Sequence, residues 1–253
     1  MDSLTIMLLC SVAPAMLLLA YARYRDRKHP EPWSMVLKGV GFGVASVAVT
    51  ICVNTMWQPL PFALGFGWLY EIPMVRGVFK AFYEAALPEE ACKLLMLWLL
   101  LHKCKDFKDY MDGVFYAICV GMGFAGLENI QYVFLNEENW QSVAITRSIF
   151  AVPGHYIFAV IMGFFYSIVH FQPKRFGKYR SMVYVMPVLA HGAYDSICFL
   201  AEENMLFALL SYPVLIWFCI KMHKFCFKRL DKMDLLDEDQ RDLERFTRAM
   251  KGE

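Results

Sequence analysis

The 253-residue sequence lacks the cysteine and charge patterns that mark several common protein classes. It has eight cysteines but no C-x-x-C pair and no regular cysteine spacing, so neither a zinc ribbon nor a disulfide framework is indicated. The cysteines lie mostly within apolar stretches, and we interpret them as buried thiols. The formal net charge is only +1, and we expect no nucleic-acid partner. No internal repeat or low-complexity segment is present.

Long apolar runs dominate what is there. The chain is 58% hydrophobic, a fraction that a soluble globule cannot bury when it is concentrated in runs. A helix needs about 20 apolar residues to cross a bilayer. Seven such segments are found: Leu4–Ala22, Val36–Trp57, Val78–Leu101, Gly113–Leu135, Arg147–Phe171, Met182–Leu200 and Met205–Ile220. The sequence therefore predicts an all-α, polytopic protein of the cell membrane with about seven transmembrane helices and a retained first helix.

The distribution of basic residues predicts the orientation in the membrane. Cytoplasmic loops are enriched in Lys and Arg. Basic clusters follow every odd-numbered predicted span: Arg23, Arg25, Arg27 and Lys28; Lys103, Lys105 and Lys108; Lys174, Arg175, Lys178 and Arg180; Lys221, Lys224, Lys228 and Arg229. The remaining loops are poor in basic residues. We therefore expect the N-terminus outside and the C-terminus in the cytoplasm.

The chain divides by composition into two parts. Residues 1–230 hold the apolar runs, and residues 231–253 are strongly charged. In the second part, the apolar residues follow the spacing of one helical face: Leu235, Leu236, Leu243, Phe246 and Met250. We expect a cytoplasmic amphipathic helix that packs loosely at the membrane surface.

Several ionisable side chains fall within the predicted spans. Each costs a few kcal/mol to insert, so a group of them calls for a functional explanation. Together with one amide they form a set that we name the polar layer: Glu89, Glu90, Lys93, Glu128, Asn129, His155, His191 and Asp195. With about 1.5 Å of rise per residue, the acids and histidines of four helices reach similar depths near the membrane midplane. The sequence thus predicts that they converge.

Spacing within each helix predicts individual contacts, because residues three or four apart share a face. Lys93 lies four residues after Glu89 and three after Glu90, so it can neutralise one glutamate and leave the other to take protons. His191 and Asp195 are four apart, which allows the carboxylate to fix the imidazole tautomer. A purely structural ion pair is the alternative for Glu89 and Lys93.

Four ordered motifs resemble those of the PrsW-type intramembrane proteases, a group related to the CAAX prenyl proteases and bacterial immunity proteins. They are Pro88-Glu89-Glu90-Ala91-Cys92-Lys93; Asp112-Gly113; Gly123-Phe124-Ala125-Gly126-Leu127-Glu128-Asn129 with Tyr132; and His191-Gly192-Ala193-Tyr194-Asp195, with Arg147 eight residues before His155. The resemblance implies that residues 1–230 form a protease domain, with its motifs in helices spanning residues 78–200. The implied substrate is a membrane-anchored protein, such as an anti-sigma factor, in the lipid bilayer.

Peptide hydrolysis needs an activated water, stabilisation of the oxyanion and a proton for the leaving amine. We assign the base to the Glu89/Glu90 pair, with a preference for Glu90, and place the other glutamate beside Lys93. That assignment predicts that Glu90→Gln abolishes proteolysis while leaving the protein folded. His155 and His191 are candidates for oxyanion stabilisation.

A metal-dependent mechanism is an alternative at this point. Glu128, His155 and His191 form the two-histidine, one-carboxylate set that holds catalytic zinc with one position open for water. No HExxH motif is present, so metal-dependent and metal-free glutamic chemistry both stay open. Two non-protease functions also stay open: a proton- or ion-coupled transporter, which uses similar intramembrane acids and histidines, and a non-catalytic membrane scaffold.

Overall fold

The computed structural model describes residues 2–27 and 30–251, which form helices joined by short turns, with no strand among them. Lys28 of the first basic loop lies outside the described residues. The α-helices are α1 Ser3–Arg25, α2 Trp33–Trp57, α3 Leu60–Ala63, α4 Pro73–Phe79, α5 Leu87–Leu101, α6 Tyr110–Leu135, α7 Trp140–Ile149, α8 Ala151–Phe171, α9 Pro173–Phe176, α10 Met182–Glu203 and α11 Met205–Lys251. A π-helix, Lys80–Ala86, joins α4 to α5.

Six helical segments of the described chain are long and apolar enough to cross a membrane: Ser3–Arg25, Trp33–Ala63, Tyr110–Leu135, Glu137–Phe171, Met182–Glu203 and Met205–Leu243. The predicted all-α, multi-pass architecture is therefore confirmed. The predicted span Val78–Leu101 is not among the six. It is helical from end to end, but it carries five charged residues, so its composition alone does not mark it as a span.

Helix α6 forms the centre of the bundle and packs against α1, α2 and α8. Its residues 110–126 are buried without interruption. Small residues let the neighbouring backbones approach closely, as is typical of membrane helices. A Cβ atom on Gly123 would collide with the carbonyl oxygen of Val40, and one on Gly43 would collide with the carbonyl oxygen of Val120. These glycines therefore allow α2 and α6 to lie in direct backbone contact.

Pro88 accounts for the irregular helix just before the two glutamates of the polar layer. Proline has no N–H group, and its ring displaces the carbonyl four residues earlier, here that of Glu84. That carbonyl accepts a hydrogen bond from Asn54 Nδ2 at 3.1 Å, and the Tyr83 carbonyl accepts one from Trp57 Nε1 at 2.9 Å. Side chains of α2 thus satisfy backbone groups of the π-helix and fix the entry to α5.

A second proline divides the predicted span Arg147–Phe171. Helix α7 ends at Ile149, and α8 begins at Ala151. Pro153 lies in the first turn of α8, where its ring would clash with the Ile149 carbonyl if the helix continued. The break places Arg147 on α7, whereas residues 151–171 of the predicted span, including His155, form α8.

Helix α11 continues through residue 230 without a break and includes residues 231–251 of the predicted tail. The side chain of Phe246 and residues 252 and 253 lie outside the described residues. Leu230 and Met233 are buried, and the Asp237 carboxylate accepts hydrogen bonds from the backbone N–H groups of Tyr110 and Met111 at 2.6 and 2.9 Å. These contacts hold the helix against the start of α6, more firmly than the loose surface packing expected from the sequence.

Candidate active site

Lys93 lies at the centre of the polar layer and is almost fully buried in α5. Its Nζ atom is 3.2 Å from Glu89 Oε2, 2.9 Å from Glu90 Oε1 and 3.2 Å from His155 Nδ1. An ammonium group has three donors and no acceptor, so these three contacts use its full capacity. The same group lies 3.8 Å from the centre of the Phe124 ring. The predicted contacts with both glutamates are present in the structure.

The two adjacent glutamates occupy different environments. Glu90 is fully buried, and its Oε1 lies 2.9 Å from His191 Nδ1 as well as near Lys93. Its Oε2 has no hydrogen-bond partner among the described residues. Glu89 is 12% exposed at its side chain and lines a cavity. Glu89 thus reaches the cavity, whereas Glu90, preferred as the base from the sequence, is not among its lining residues.

His191 in α10 is held between carboxylates. Its Nδ1 lies 2.9 Å from Glu90 Oε1, and its Nε2 lies 3.1 Å from Asp195 Oδ2, the partner expected from their spacing. The ring stacks on Phe158 with 4.7 Å between ring centres. Only the doubly protonated ring has an N–H donor on each nitrogen, so this arrangement suits an imidazolium. His191 is therefore placed to carry a proton next to the cavity.

Arg147 joins the site in a role that the sequence did not assign. Its NH2 atom lies 2.6 Å from Glu128 Oε2, and its Nε donates to Asn129 Oδ1 at 2.8 Å. The guanidinium lies 3.8 Å from the centre of the Tyr132 ring. An arginine at the start of one predicted span, with an acid inside the preceding span, was the signal that could have identified it.

His155 in α8 connects the two groups of charges. Its Nε2 lies 2.8 Å from Glu128 Oε2, and its Nδ1 faces the Lys93 ammonium. Because an ammonium can only donate, Nδ1 must be the acceptor, and the network then assigns the ring proton to Nε2, which donates to Glu128. His155 is thus a neutral bridge between Lys93 and Glu128.

A cavity of about 450 Å³ opens beside these groups. This volume falls within the range of small-molecule and cofactor sites, roughly 300 to 1,000 Å³. Seven charged or imidazole side chains of the described residues share the cavity wall: Glu89, Glu128, Arg147, His155, His191, Asp195 and Glu202. Asn129 lies behind them, fully buried, and donates to the Ser11 carbonyl at 2.7 Å. A buried acid, imidazole donors and room for a peptide segment therefore meet in one place.

Among the described residues, Glu89, Glu90 and His155 offer ligand atoms that lie within 4.8 Å of one another, and such a group could hold a metal ion. Carboxylate and imidazole donors suit zinc. However, Lys93 Nζ is bonded to all three residues and takes the position that a cation would need. In this arrangement the three donors do not fit a metal ion.

In the structure, the three zinc ligands predicted from the sequence are divided between two sets of contacts. Glu128 and His155 are in contact, whereas His191 bonds to Glu90 and Asp195, and the two histidine rings are 5.5 Å apart between centres. The predicted set of Glu128, His155 and His191 is therefore not the group whose donor atoms come closest together. Zinc binding by that set stays a prediction.

Comparisons with known proteins identify the family. The family model described as PrsW family intramembrane metalloprotease matches residues 31–221. Protease PrsW of Geobacillus kaustophilus (strain HTA426) is 31% identical over 206 residues, which cover 81% of this chain and 85% of that protein. Protease PrsW of Bacillus subtilis (strain 168) is 29% identical over 209 residues, which cover 81% of this chain and 88% of that protein.

Protease PrsW of Clostridioides difficile (strain 630) is 27% identical over 212 residues, which cover 83% of this chain and 86% of that protein. No solved structure matches the chain. The comparisons give no support to the transporter alternative. The chain belongs to the PrsW family, and it is an intramembrane endopeptidase and a multi-pass protein of the cell membrane.

Proposed function

We propose that Glu89 activates the water that hydrolyses a peptide bond of a membrane-anchored protein in this cavity. One observation carries the proposal: Glu89 is the glutamate of the pair that both contacts Lys93 and lines the cavity. The carboxylate takes a proton from water, and the hydroxide attacks the peptide carbonyl carbon. The tetrahedral intermediate then collapses, the C–N bond breaks, and a proton passes to the leaving amine.

The other cavity-lining groups supply the remaining parts of the reaction. His191 lies 4.0 Å from Glu89 through Nε2 and is held by Asp195, so it is placed to give a proton to the leaving amine. The single N–H group of His155 donates to Glu128, so stabilisation of the oxyanion falls to the guanidinium of Arg147, which also lines the cavity. Glu128, in the cavity wall, and the buried Asn129 orient the imidazole and the guanidinium.

We also propose that the helical run Pro73–Leu101 is a seventh span, with the N-terminus outside and the C-terminus in the cytoplasm. Support comes from the direction of its polar groups, since Glu89, Glu90 and Lys93 point to α8 and α10 rather than to lipid. The basic loops support the orientation. Labelling of single cysteines at Lys105 and Glu137 tests both points: the first should react from the cytoplasm, and the second from outside.

The substrate class rests on the motifs rather than on the cavity. An anti-sigma factor is the kind of membrane-anchored substrate that the motifs imply, and the wider relationship to the CAAX prenyl proteases also rests on them. A cavity of about 450 Å³ has room for a short stretch of peptide around the cut. The rest of the substrate would then lie in the bilayer or outside it.

Cleavage of single-pass reporter proteins in proteoliposomes tests the proposal. Glu89→Gln should lower the rate about 10²- to 10⁴-fold, as expected for the loss of a general base, with the protein still folded. Glu84→Gln is a matched control: it is the same substitution in the same helical run, but its side chain bonds to Tyr70 at 2.7 Å instead of lining the cavity. Near-normal cleavage by Glu89→Gln would remove Glu89 as the base.

A further inference from the structure

We propose that the Lys93 ammonium takes the place of a metal ion in this site, so that the hydrolysis proposed above runs without bound metal and a latent metal site exists beneath Lys93. The inference deepens the proposed function and contrasts with the description of the family as metalloproteases. It assigns Lys93 as a positioning residue, because it acts on the reaction through Glu89.

Lys93 contacts the same three residues that would hold the candidate metal ion. The residues whose donor atoms cluster within 4.8 Å are Glu89, Glu90 and His155. The same three residues accept the three ammonium hydrogens, at 3.2, 2.9 and 3.2 Å. An ammonium with three acceptors is fully satisfied, and each of the three residues is engaged by it. One cation, supplied by the chain itself, thus occupies the centre of this donor set.

The donor set has neither the room nor the favourable charge for a second cation. A zinc ion would lie about 2.0 to 2.2 Å from each donor atom and therefore directly against the ammonium. Two cations at that separation repel strongly in a buried site. Lys93 is only 4% exposed, and the face of the Phe124 ring lies 3.8 Å away on another side. The ammonium is thus enclosed by its three acceptors and the Phe124 ring.

Lys93 also balances the charges of the two glutamates, which a metal ion would otherwise do. Two adjacent carboxylates must be balanced inside a membrane protein, and buried charges are tolerated only when they are paired. Lys93 contacts Oε2 of Glu89 and Oε1 of Glu90, so one cation serves both. It thereby offsets part of the cost of an ionised Glu89 at the cavity wall, where the base is needed. The positive charge stays behind the carboxylate and does not need to contact the substrate.

Cobalt titration of the purified, metal-depleted full-length protein tests the inference. Four-coordinate Co²⁺ gives visible absorption bands, and it replaces zinc at sites of this donor type. Wild-type protein should show no such bands. Lys93→Ala should bind roughly one Co²⁺ per chain, because the three donors become free for a tetrahedral ion. The Lys93→Ala, His155→Ala double variant should lose the bands.

Two further arms keep the test decisive. Lys80→Ala removes a lysine from the same helical run, one whose Nζ lies near Phe199, and should behave as wild type. If Lys93→Ala is poorly folded without metal, Co²⁺ should raise its melting temperature, because a ligand that binds only the folded state stabilises it. Co²⁺ binding by the wild type at the Glu89, Glu90 and His155 donors would overturn the inference, whatever the variants do.

If neither the wild type nor a folded Lys93→Ala variant binds Co²⁺, the latent metal site is also refuted. The assay needs no substrate, so it is independent of catalysis. If the wild type binds no Co²⁺ but Glu89→Gln still cleaves, then the proposed base and the positioning role of Lys93 through it are wrong, whereas the replacement of a metal ion by the Lys93 ammonium stands. If Glu89→Gln is inactive and the wild type binds Co²⁺, the proposed base stands and the replacement of a metal ion by Lys93 is wrong.

Discussion

Glu90→Gln should destabilise the folded protein, whereas Glu89→Gln should leave its stability nearly unchanged. Glu90 Oε1 accepts two hydrogen bonds of 2.9 Å, from Lys93 and from His191, and the residue is fully buried. Each hydrogen bond to a charged group contributes about 1.5 to 3 kcal/mol. The amide oxygen of Gln can keep part of these hydrogen bonds, but its NH₂ group brings further donors next to those of Lys93 and His191. We therefore expect a loss of roughly 2 to 4 kcal/mol.

Thermal unfolding of the purified protein in detergent measures this difference. For a chain of this size, a change of 1 kcal/mol shifts the melting temperature by about 2 to 4 °C, so Glu90→Gln should lower it by roughly 4 to 16 °C. Glu89→Gln loses one longer contact, of 3.2 Å, at a partly exposed side chain and should shift it by only a few degrees. Glu84→Gln gives the background effect of the same substitution.

The assignment of Glu90 as the base, made from the sequence, predicts instead that Glu90→Gln stays folded, so the comparison separates the two interpretations. A Glu90→Gln protein that melts with the wild type, or a Glu89→Gln protein that is the less stable of the two, would refute the buried network described here. The activity of Glu90→Gln is not decisive, because loss of the Lys93 and His191 contacts would also disturb Glu89.

Two further predictions follow from contacts at either end of the bundle. Arg147→Met should lower cleavage at least 10-fold and reduce the melting temperature, because the buried Glu128 then keeps only its contact with His155 among these two partners. Unfolding and cleavage assays check this. An unchanged variant would contradict the role of the arginine. Burial, reinforced by neighbouring carboxylates, raises the pKa of Asp26 to about 7 from its usual 3.8, so the folded state binds the extra proton. Its contribution to stability is full below the unfolded pKa and is lost once the pH has risen through the folded value, so the melting temperature should fall between about pH 4 and pH 7, and less so in Asp26→Asn.

Contacts within one helix could be predicted from the sequence because helix geometry fixes them. Residues three and four apart must share a face, and the pairs Glu89–Lys93, Glu90–Lys93 and His191–Asp195 are all in contact. The apolar runs likewise predicted helices, because a long apolar segment in a membrane must satisfy its backbone internally.

Contacts between helices could not be predicted in the same way. Glu90–His191 and Lys93–His155 join residues 101 and 62 positions apart, and no local rule sets which faces meet. Adjacent residues of a helix point about 100° apart, so the choice between Glu89 and Glu90 depended on how α5 packs. The break before Pro153 and the irregular helix before Pro88 did have local signals, but the consequence of the break for the position of Arg147 depended on the rest of the bundle.

Cleavage by metal-depleted protein in proteoliposomes, run in isotope-labelled water, tests the central claim most directly: hydrolysis by the chain's own groups with Glu89 as the base. The account predicts that the depleted wild type, checked by elemental analysis, cleaves a single-pass reporter at the undepleted rate and that the new carboxylate contains labelled oxygen. Glu89→Gln, equally folded, should give no product above background. Wild-type cleavage that disappears on depletion and returns with zinc, or normal cleavage by Glu89→Gln, would contradict the account.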